Sequence, residues 1–240
     1  MAKYSKKSKK KSSVTKRELV NKIEQIKIIN VSLLVIIILL SLFISIHFMR
    51  VDHGPKIVNK INKILDDNYV FLGDSITEGY NLDKYYNNYP VVNSGVGGYN
   101  TDNILEKLNK MVYRYNPTKV FLLIGTNDIA QGHSKEHIIN NIQKIIDNIK
   151  QNRKYADIYV ESIYPINANK EKVRSNELIK AINEDIKKIC KENNVTYINT
   201  YDLLIDEDGN LKDEYSNDGL HLTEKGYDVV TSKIKPYLHS

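Results

Sequence analysis

The chain has 240 residues, enough for one well-buried domain but too few for two large ones. Its 35 lysine and arginine residues outnumber 29 aspartate and glutamate residues, which gives a formal net charge of +6. Residues 1–28 hold ten basic and two acidic residues, a surplus of eight, so the rest of the chain has a net charge of −2. This distribution argues against a nucleic-acid-binding domain. The single cysteine, Cys190, excludes an internal disulfide and a cysteine-rich metal site.

An uncharged apolar segment follows the basic tail, with the sequence VSLLVIIILLSLFISI at its centre. A helix of about 20 such residues spans a hydrocarbon core of about 30 Å. The sequence therefore predicts a cytoplasmic tail over residues 1–28 and one transmembrane signal anchor over residues 29–49, because basic residues favour the cytoplasmic side. The part of the chain after this anchor is expected to face outward, in a single-pass cell-membrane protein.

A cleaved signal peptide and a buried helix of a soluble domain are the two alternatives to this anchor. The basic leader is long, and the exit His47-Phe48-Met49-Arg50 lacks the small-x-small pattern of a cleavage site. Both features favour an uncleaved anchor. Residues 50–67 are expected to form a polar connector with a short helix near residues 57–65.

Short apolar runs alternate with amphipathic helical patterns over residues 68–240. Continuous apolar strands separated by such helices are typical of a parallel sheet that is covered on both faces. We therefore predict one doubly wound α/β domain. The predicted strands cover residues 69–72, 91–92, 119–124, 157–160 and 195–198, and the predicted helices cover about 101–113, 134–152, 171–193 and 223–238.

Ser75 follows the first predicted strand, at the head of a helix whose free N–H groups favour a developing negative charge. A serine nucleophile needs a base, and His221 is the candidate, with Asp218 three residues earlier to orient its ring. The alternatives are structural. Asp74 or Ser75 could cap the helix, and Asp218 could cap its own loop beside an exposed histidine.

Two other segments follow predicted strands and could supply donors to an oxyanion. Asn127 lies after the strongest strand and has a side-chain amide, whereas Gly97-Gly98 allows a backbone N–H to approach a ligand closely. Loop capping and a plain tight turn explain these segments equally well. His133 and His137 have the i, i+4 spacing of metal ligands, but no third ligand is evident nearby, so no metal site is predicted.

Four ordered blocks carry a family resemblance. They are Phe71-Leu-Gly-Asp-Ser-Ile-Thr-Glu-Gly79, Val92-Asn-Ser-Gly-Val-Gly-Gly98, Leu123-Ile-Gly-Thr-Asn-Asp128 and Asp218-Gly-Leu-His-Leu-Thr-Glu-Lys-Gly-Tyr227. Over about residues 68–238 the chain resembles the SGNH subgroup of GDSL-type hydrolases. Tyr99-Asn100 departs from the Asp-Thr that often follows the glycine of the second block.

The resemblance implies a flavodoxin-like three-layer α/β/α sandwich with a five-stranded parallel sheet. It implies Ser75 as nucleophile, His221 as base and Asp218 as the residue that orients the base, with Asp74 in a supporting role. The implied oxyanion hole consists of the Ser75 N–H, the Gly98 N–H and the Asn127 amide. The implied reaction is ester hydrolysis through an acyl-enzyme, with no metal or organic cofactor.

The predicted substrate is a short acyl ester, most simply an acetyl ester, on a cell-envelope glycan. Tyrosines in residues 80–89, together with Tyr99 and Tyr164, could stack on a sugar or could simply pack in the protein. The alternatives are an O-acyltransferase that works with a membrane acyltransferase partner, a lysophospholipase or other lipid esterase, and a non-catalytic glycan-binding protein. No nucleic-acid partner is expected.

Overall fold

The computed structural model of the chain describes residues 16–50 and 68–239. The first range is one helix, α1 (Lys16–Arg50), in which Glu18–Ser45 is long and apolar enough to cross a membrane. The predicted span over residues 29–49 lies inside α1. Over residues 18–45 its side chains are exposed, as Ile36 and Leu39 illustrate, which favours an apolar surrounding. The predicted helix near residues 57–65 and the start of the basic tail lie outside the described residues.

The second range contains a five-stranded parallel sheet with the order β2-β1-β3-β4-β5. Each predicted strand overlaps one strand of this sheet, so the predicted α/β class and strand number are confirmed. The strands are β1 (Asn68–Gly73), β2 (Val91–Gly95), β3 (Pro117–Leu123), β4 (Asp157–Glu161) and β5 (Thr196–Ile198).

Helices cover both faces of this sheet. Their bounds are α2 (Ser75–Glu78), α3 (Leu82–Tyr85), α4 (Thr101–Met111), α5 (Thr126–Ala130), α6 (Lys135–Asn152), α7 (Asn176–Glu192), α8 (Tyr201–Leu204) and α9 (Glu224–Ile234), with 3-10 turns at Tyr113–Tyr115, Asp213–Tyr215 and Lys235–Leu238.

Successive residues of the central strands supply two separate apolar cores. Val120 and Leu122 of β3 pack with the isoleucines of α4, α6 and α7 on one face, whereas Phe121 packs with Phe71 and with residues of α9 on the other. Strand side chains alternate between the faces of a sheet, so two covered faces require a continuous apolar strand. The three-layer sandwich follows from this pattern.

The start of α7 differs from the prediction, which extended the helix back to residue 171. The Glu171 carboxylate accepts hydrogen bonds from the backbone N–H groups of Val173 and Arg174 at 2.7 and 3.1 Å, and these bonds hold the segment in a loop. Ser175 then caps the helix, which begins at Asn176. Within α7, Cys190 is buried, and burial raises the pKa of its thiol to about 12.

The strand order reverses between β1 and β3, because β2 lies on one side of β1 and the later strands lie on the other. In open parallel sheets, ligands bind beyond the carboxyl ends of the strands at such a switch point. Ser75 lies two residues after the end of β1, and Asn127 lies four residues after the end of β3. The topology therefore brings these two residues to the edge where a binding site is expected.

Candidate active site

Ser75 is the first residue of α2, and its hydroxyl does not cap the helix. Asp74 is the N-cap: its Oδ1 accepts a hydrogen bond from the Ile76 N–H at 2.9 Å. The Ser75 Oγ instead lies 2.9 Å from Nε2 of His221. Helix capping and pairing with a base are therefore carried out by two neighbouring residues: Asp74 caps the helix, and Ser75 pairs with His221.

The Asp218 carboxylate makes two kinds of contact in one short loop. Its Oδ2 lies 2.6 Å from Nδ1 of His221, while its Oδ1 accepts hydrogen bonds from the N–H groups of Leu220 and His221 at 2.9 and 2.8 Å. Gly219 allows this tight turn because its φ is +87°, a conformation that favours glycine. The structure therefore aligns Ser75, His221 and Asp218 in one hydrogen-bonded chain.

The protonation of Asp218 suits this arrangement. Partial burial alone would raise the pKa of Asp218, but hydrogen bonds from the His221 ring and from the Leu220 and His221 backbone outweigh it and hold the pKa below its usual range. The carboxylate is therefore ionised at neutral pH. The His221 and Asp218 side chains are about half exposed, at 47% and 54%, so the site opens directly to solvent.

The loop after β2 runs beside Ser75. A Cβ placed on Gly97 would lie 3.9 Å from the Ser75 Cβ, and the Gly97 N–H donates to Glu78 Oε2 at 3.1 Å. Gly98 has a φ of +76° and is exposed. Since the Gly97 N–H is already hydrogen-bonded, the next N–H in the loop, that of Gly98, is the better candidate to bind a ligand oxygen.

The Asn127 amide is fixed at both ends. Its Nδ2 donates to the Tyr99 carbonyl oxygen at 2.9 Å, and its Oδ1 accepts from Nη2 of Arg174 at 3.1 Å. An amide nitrogen carries two hydrogens, so one remains for a ligand after the bond to Tyr99 is made. The orientation that Arg174 imposes keeps the donor end of Asn127 toward the loop that contains Gly98.

Arg174 is a site residue that the sequence reasoning missed. Besides its bond to Asn127, its Nε donates to the Thr126 carbonyl oxygen at 2.9 Å, and its Nη1 lies 3.6 Å from the Glu171 carboxylate. Its side chain is only 9% exposed. The one available signal was its position after β4, on the edge of the sheet that carries the other site segments.

Asp128 joins the loop after β3 to the start of α4. Its fully buried carboxylate accepts hydrogen bonds from the Thr101 N–H at 3.0 Å and from the Thr101 hydroxyl at 2.5 Å. Thr101 begins the helix that follows Gly98 and Tyr99. These bonds fix the two loops that hold Gly98 and Asn127 relative to one another.

Asp74 has an unusual environment for a helix cap. Its Oδ2 is buried without a hydrogen-bond partner, and burial raises its pKa to about 7, although the Ile76 N–H and the positive charges of Arg174 and His221 act in the opposite direction. A buried acid directly before Ser75 is consistent with a supporting role for Asp74, which acts on the backbone of α2 and not on Ser75 Oγ.

Of the tyrosines that could stack on a sugar or pack in the protein, Tyr80, Tyr86 and Tyr164 pack in the protein, whereas Tyr85 and Tyr89 are half-buried. Tyr80 and Tyr86 are buried, and their hydroxyls are hydrogen-bonded to each other at 2.6 Å. Tyr164 is also buried and donates to the Glu161 carboxylate at 2.6 Å. These rings belong to the core of the domain, where aromatic packing stabilises the fold. Tyr99 remains half-buried beside Asn127.

Comparison with known proteins gives one family. The profile of the GDSL-like Lipase/Acylhydrolase family matches residues 71–229, which include all four sequence blocks up to Tyr227. A Streptococcus pneumonia protein described as a candidate platelet activating factor is 30% identical. It superposes with a TM-score of 0.68, over 82% of this chain and 99% of that one.

Two further relatives differ in what they share with the chain. An N-acylneuraminate cytidylyltransferase of Streptococcus agalactiae is 29% identical over 169 residues, which is 70% of this chain but only 38% of that protein. The chain therefore spans little more than a third of this curated relative. An acetyl xylan esterase variant of Geobacillus stearothermophilus is 18% identical with a TM-score of 0.60, over 72% of this chain and 94% of that one, and shares the fold.

Proposed function

The chain belongs to the GDSL-like lipase/acylhydrolase family, and from this premise we propose that it is a serine esterase that removes short acyl groups through an acyl-enzyme. The observation that carries the proposal is the hydrogen-bonded chain from Ser75 through His221 to Asp218, with distances of 2.9 and 2.6 Å. A serine beside a base that is itself oriented by a carboxylate has the arrangement of an activated nucleophile.

In the proposed reaction Ser75 Oγ attacks the ester carbonyl carbon while its proton passes to Nε2 of His221. The tetrahedral intermediate collapses when the C–O bond to the alcohol breaks and His221 gives that proton to the leaving oxygen. Water then attacks the acyl-Ser75 ester, His221 takes and returns a proton in the same way, and the carboxylic acid leaves. Asp218 stabilises the imidazolium that forms in each half of the reaction.

The negative oxygen of each tetrahedral intermediate needs hydrogen-bond donors. We assign these to the Ser75 N–H at the start of α2, the Gly98 N–H and the free amide hydrogen of Asn127. The Ser75 N–H lies in the first turn of α2, where backbone N–H groups have no hydrogen-bond acceptor within the helix. Fixed donors of this kind act where charge develops and contribute the larger share of catalysis in many acyl-transfer enzymes.

For the substrate we favour an acetyl or other short acyl ester on a cell-envelope glycan. Support comes from the open, half-exposed His221 and Asp218, and from the name of the Streptococcus agalactiae relative, which refers to a sugar. An acetyl xylan esterase has the same fold, so the fold accommodates acylated glycans. An exposed site of this kind suits an ester on a large polymer better than an enclosed channel would.

The proposed location is the outer side of the cell membrane. The apolar part of α1 can act as a membrane span or signal anchor, and the ten basic residues of segment 1–28 favour a cytoplasmic N-terminus. On this proposal the catalytic domain faces the cell envelope. Protease treatment of intact spheroplasts should then cleave the C-terminal domain, whereas a cytoplasmic domain would be protected.

Ser75→Ala tests the proposed chemistry, with Ser232→Ala as a matched control because Ser232 is an exposed hydroxyl on α9. Turnover of a chromogenic acetyl ester should fall to background in Ser75→Ala and stay unchanged in Ser232→Ala, while both proteins keep the wild-type circular dichroism spectrum. Retention of activity in Ser75→Ala would refute the assignment.

Two comparisons separate the alternatives for the substrate. Faster turnover of a long-chain acyl ester than of the acetyl ester would favour a lipid esterase. Glycan-dependent product without release of free acid would favour an O-acyltransferase that works with a membrane partner. Mass spectrometry of envelope glycans identifies the natural ester, because it should accumulate in cells that carry Ser75→Ala.

A further inference from the structure

We propose that Asp102, His133 and His137 bind one divalent transition-metal ion of the zinc type, at a site separate from Ser75. The His137 Nε2 lies 2.9 Å from Asp102 Oδ2, and the His133 Nδ1 lies 4.0 Å from the same oxygen. One ligand atom from each residue lies within 4.8 Å of the others. Side chains grouped this closely can turn slightly toward one ion and bind it at the metal–ligand distances of about 2.0–2.2 Å found for zinc.

Two of the three side chains come from helices that pack together, and the third comes from the turn before the second helix. Asp102 lies in the first turn of α4, His133 lies two residues before α6, and His137 lies in the first turn of α6. The sequence alone provided two histidines without a third ligand, because Asp102 is distant from them along the chain. The packing of α4 against α6 supplies the missing carboxylate.

The surrounding residues hold these ligands in place. Asn141 Nδ2 donates to Asp102 Oδ1 at 2.8 Å, which leaves Oδ2 to face the histidines, and it also donates to the Thr101 hydroxyl at 3.0 Å. The buried Asp128 Oδ1 lies 3.4 Å from the same Nδ1 of His133, so a second carboxylate lies beside the proposed site. Hydrogen-bonded groups that orient the ligands are a regular part of protein metal sites.

The donor set selects the class of metal. Two imidazole nitrogens and one carboxylate oxygen suit zinc and its neighbours, whereas magnesium and calcium prefer sites made only of oxygens. Each imidazole binds the metal through an unprotonated nitrogen. The three side chains are 30 to 50% exposed, which gives an ion access from solvent.

A bound ion would join the two loops that carry the proposed oxyanion donors. Asp102 follows Gly98 by four residues and lies in the first turn of α4, and Asp128, next to Asn127, contacts His133. We therefore expect the ion to stabilise these loops and not to take part in the chemistry. This consequence rests on the proposed function, but metal binding itself does not.

The test measures zinc binding to the full chain in detergent after removal of any affinity tag. Isothermal titration and elemental analysis after dialysis should give one zinc ion per chain, and the thermal unfolding temperature should rise until one equivalent has been added. Cobalt in place of zinc should give a visible absorption band that His137→Gln removes. Asp102→Asn, His133→Gln and His137→Gln should each weaken binding at least tenfold.

Two controls locate the site. His239→Gln changes an exposed histidine that contacts Tyr89, far along the chain, and His221→Gln removes the histidine beside Ser75. Both variants should bind one zinc ion with wild-type affinity. Failure of the wild-type chain to bind zinc, or equal affinity in His133→Gln/His137→Gln, would overturn the proposal. An inactive esterase that still binds one zinc ion would refute the proposed function and leave this site intact.

Discussion

Replacing Arg174 by methionine tests whether Asn127 depends on a neighbour for its orientation. Arg174 donates to Asn127 Oδ1 at 3.1 Å and to the Thr126 carbonyl oxygen at 2.9 Å. Methionine has an unbranched side chain that can fill the space of the arginine stem, but it donates no hydrogen bond. Without these bonds the Asn127 amide can turn and present its oxygen, instead of its nitrogen, to the developing oxyanion.

The size of the effect follows from the contacts. A hydrogen bond to a charged group contributes about 1.5–3 kcal/mol, and one oxyanion donor contributes about 2.7–4 kcal/mol to the barrier. Because Arg174 acts through Asn127, its loss cannot exceed the loss of the amide itself. We expect kcat to fall about 10- to 100-fold in Arg174→Met and about 100- to 1,000-fold in Asn127→Ala, with little change in KM.

Steady-state kinetics on a chromogenic acetyl ester measure these losses, with thermal unfolding to check that each variant is folded. The double variant Arg174→Met/Asn127→Ala should have the kcat of Asn127→Ala alone, because Arg174 acts through the Asn127 amide, which the second substitution removes. Lys172→Met is the matched control, since Lys172 is exposed on the same loop. Losses that multiply in the double variant, or an unchanged kcat in Arg174→Met, would refute the reasoning.

Three further predictions concern Asp218, Glu161 and Gly98. Asp218→Asn should lower kcat about 1,000- to 10,000-fold, because an amide does not stabilise the imidazolium of His221, and an ester assay with near-wild-type kcat would contradict this. Burial raises the pKa of Glu161 from 4.5 to about 7, so its ionisation is less favourable in the folded chain than in the unfolded chain. The free energy of unfolding should therefore fall on the order of 3 kcal/mol as pH rises from about 4.5 to about 7, and Glu161→Gln should lack this contribution in urea unfolding at pH 5 and pH 8. Equal pH dependence in both proteins would count against it. Gly98→Ala should lower the free energy of unfolding by about 1–2 kcal/mol in the same urea assay, because the φ of residue 98 is +76°, a conformation that disfavours alanine. No atom lies within 4 Å of the added Cβ, so a steric clash does not contribute. An unchanged free energy of unfolding would contradict this prediction and mean that the loop relaxes.

The strands were predictable because each is a continuous apolar run between polar segments. Val120, Phe121 and Leu122 are buried on alternating faces, and the only pattern that satisfies two covered faces is apolar throughout. The start of α7 was not predictable in this way. The Glu171 carboxylate bonds to the backbone of its own segment, and such local bonds compete with a helix without changing the apolar periodicity.

Aromatic residues illustrate the same limit. Composition places tyrosines close to the site along the chain, but it does not distinguish a ring that stacks on a sugar from one that fills the core. Tyr80 and Tyr164 are buried because α2, α9 and the loop after β4 close over them, and their hydroxyls find partners there. Their role depends on contacts between segments that lie far apart in the sequence.

The amino-acid sequence alone determined the α/β class, the positions of Ser75, Gly98 and Asn127 after strands, and the pairing of Asp218 with His221. All of these depend on residues that are near one another along the chain. Tertiary structure decided the contacts between distant residues. The bond from Arg174 to Asn127 joins positions 47 apart, and the contact of His137 with Asp102 joins positions 35 apart. Such contacts arise from how helices and loops pack on the sheet, and the periodicity of the sequence does not predict that packing.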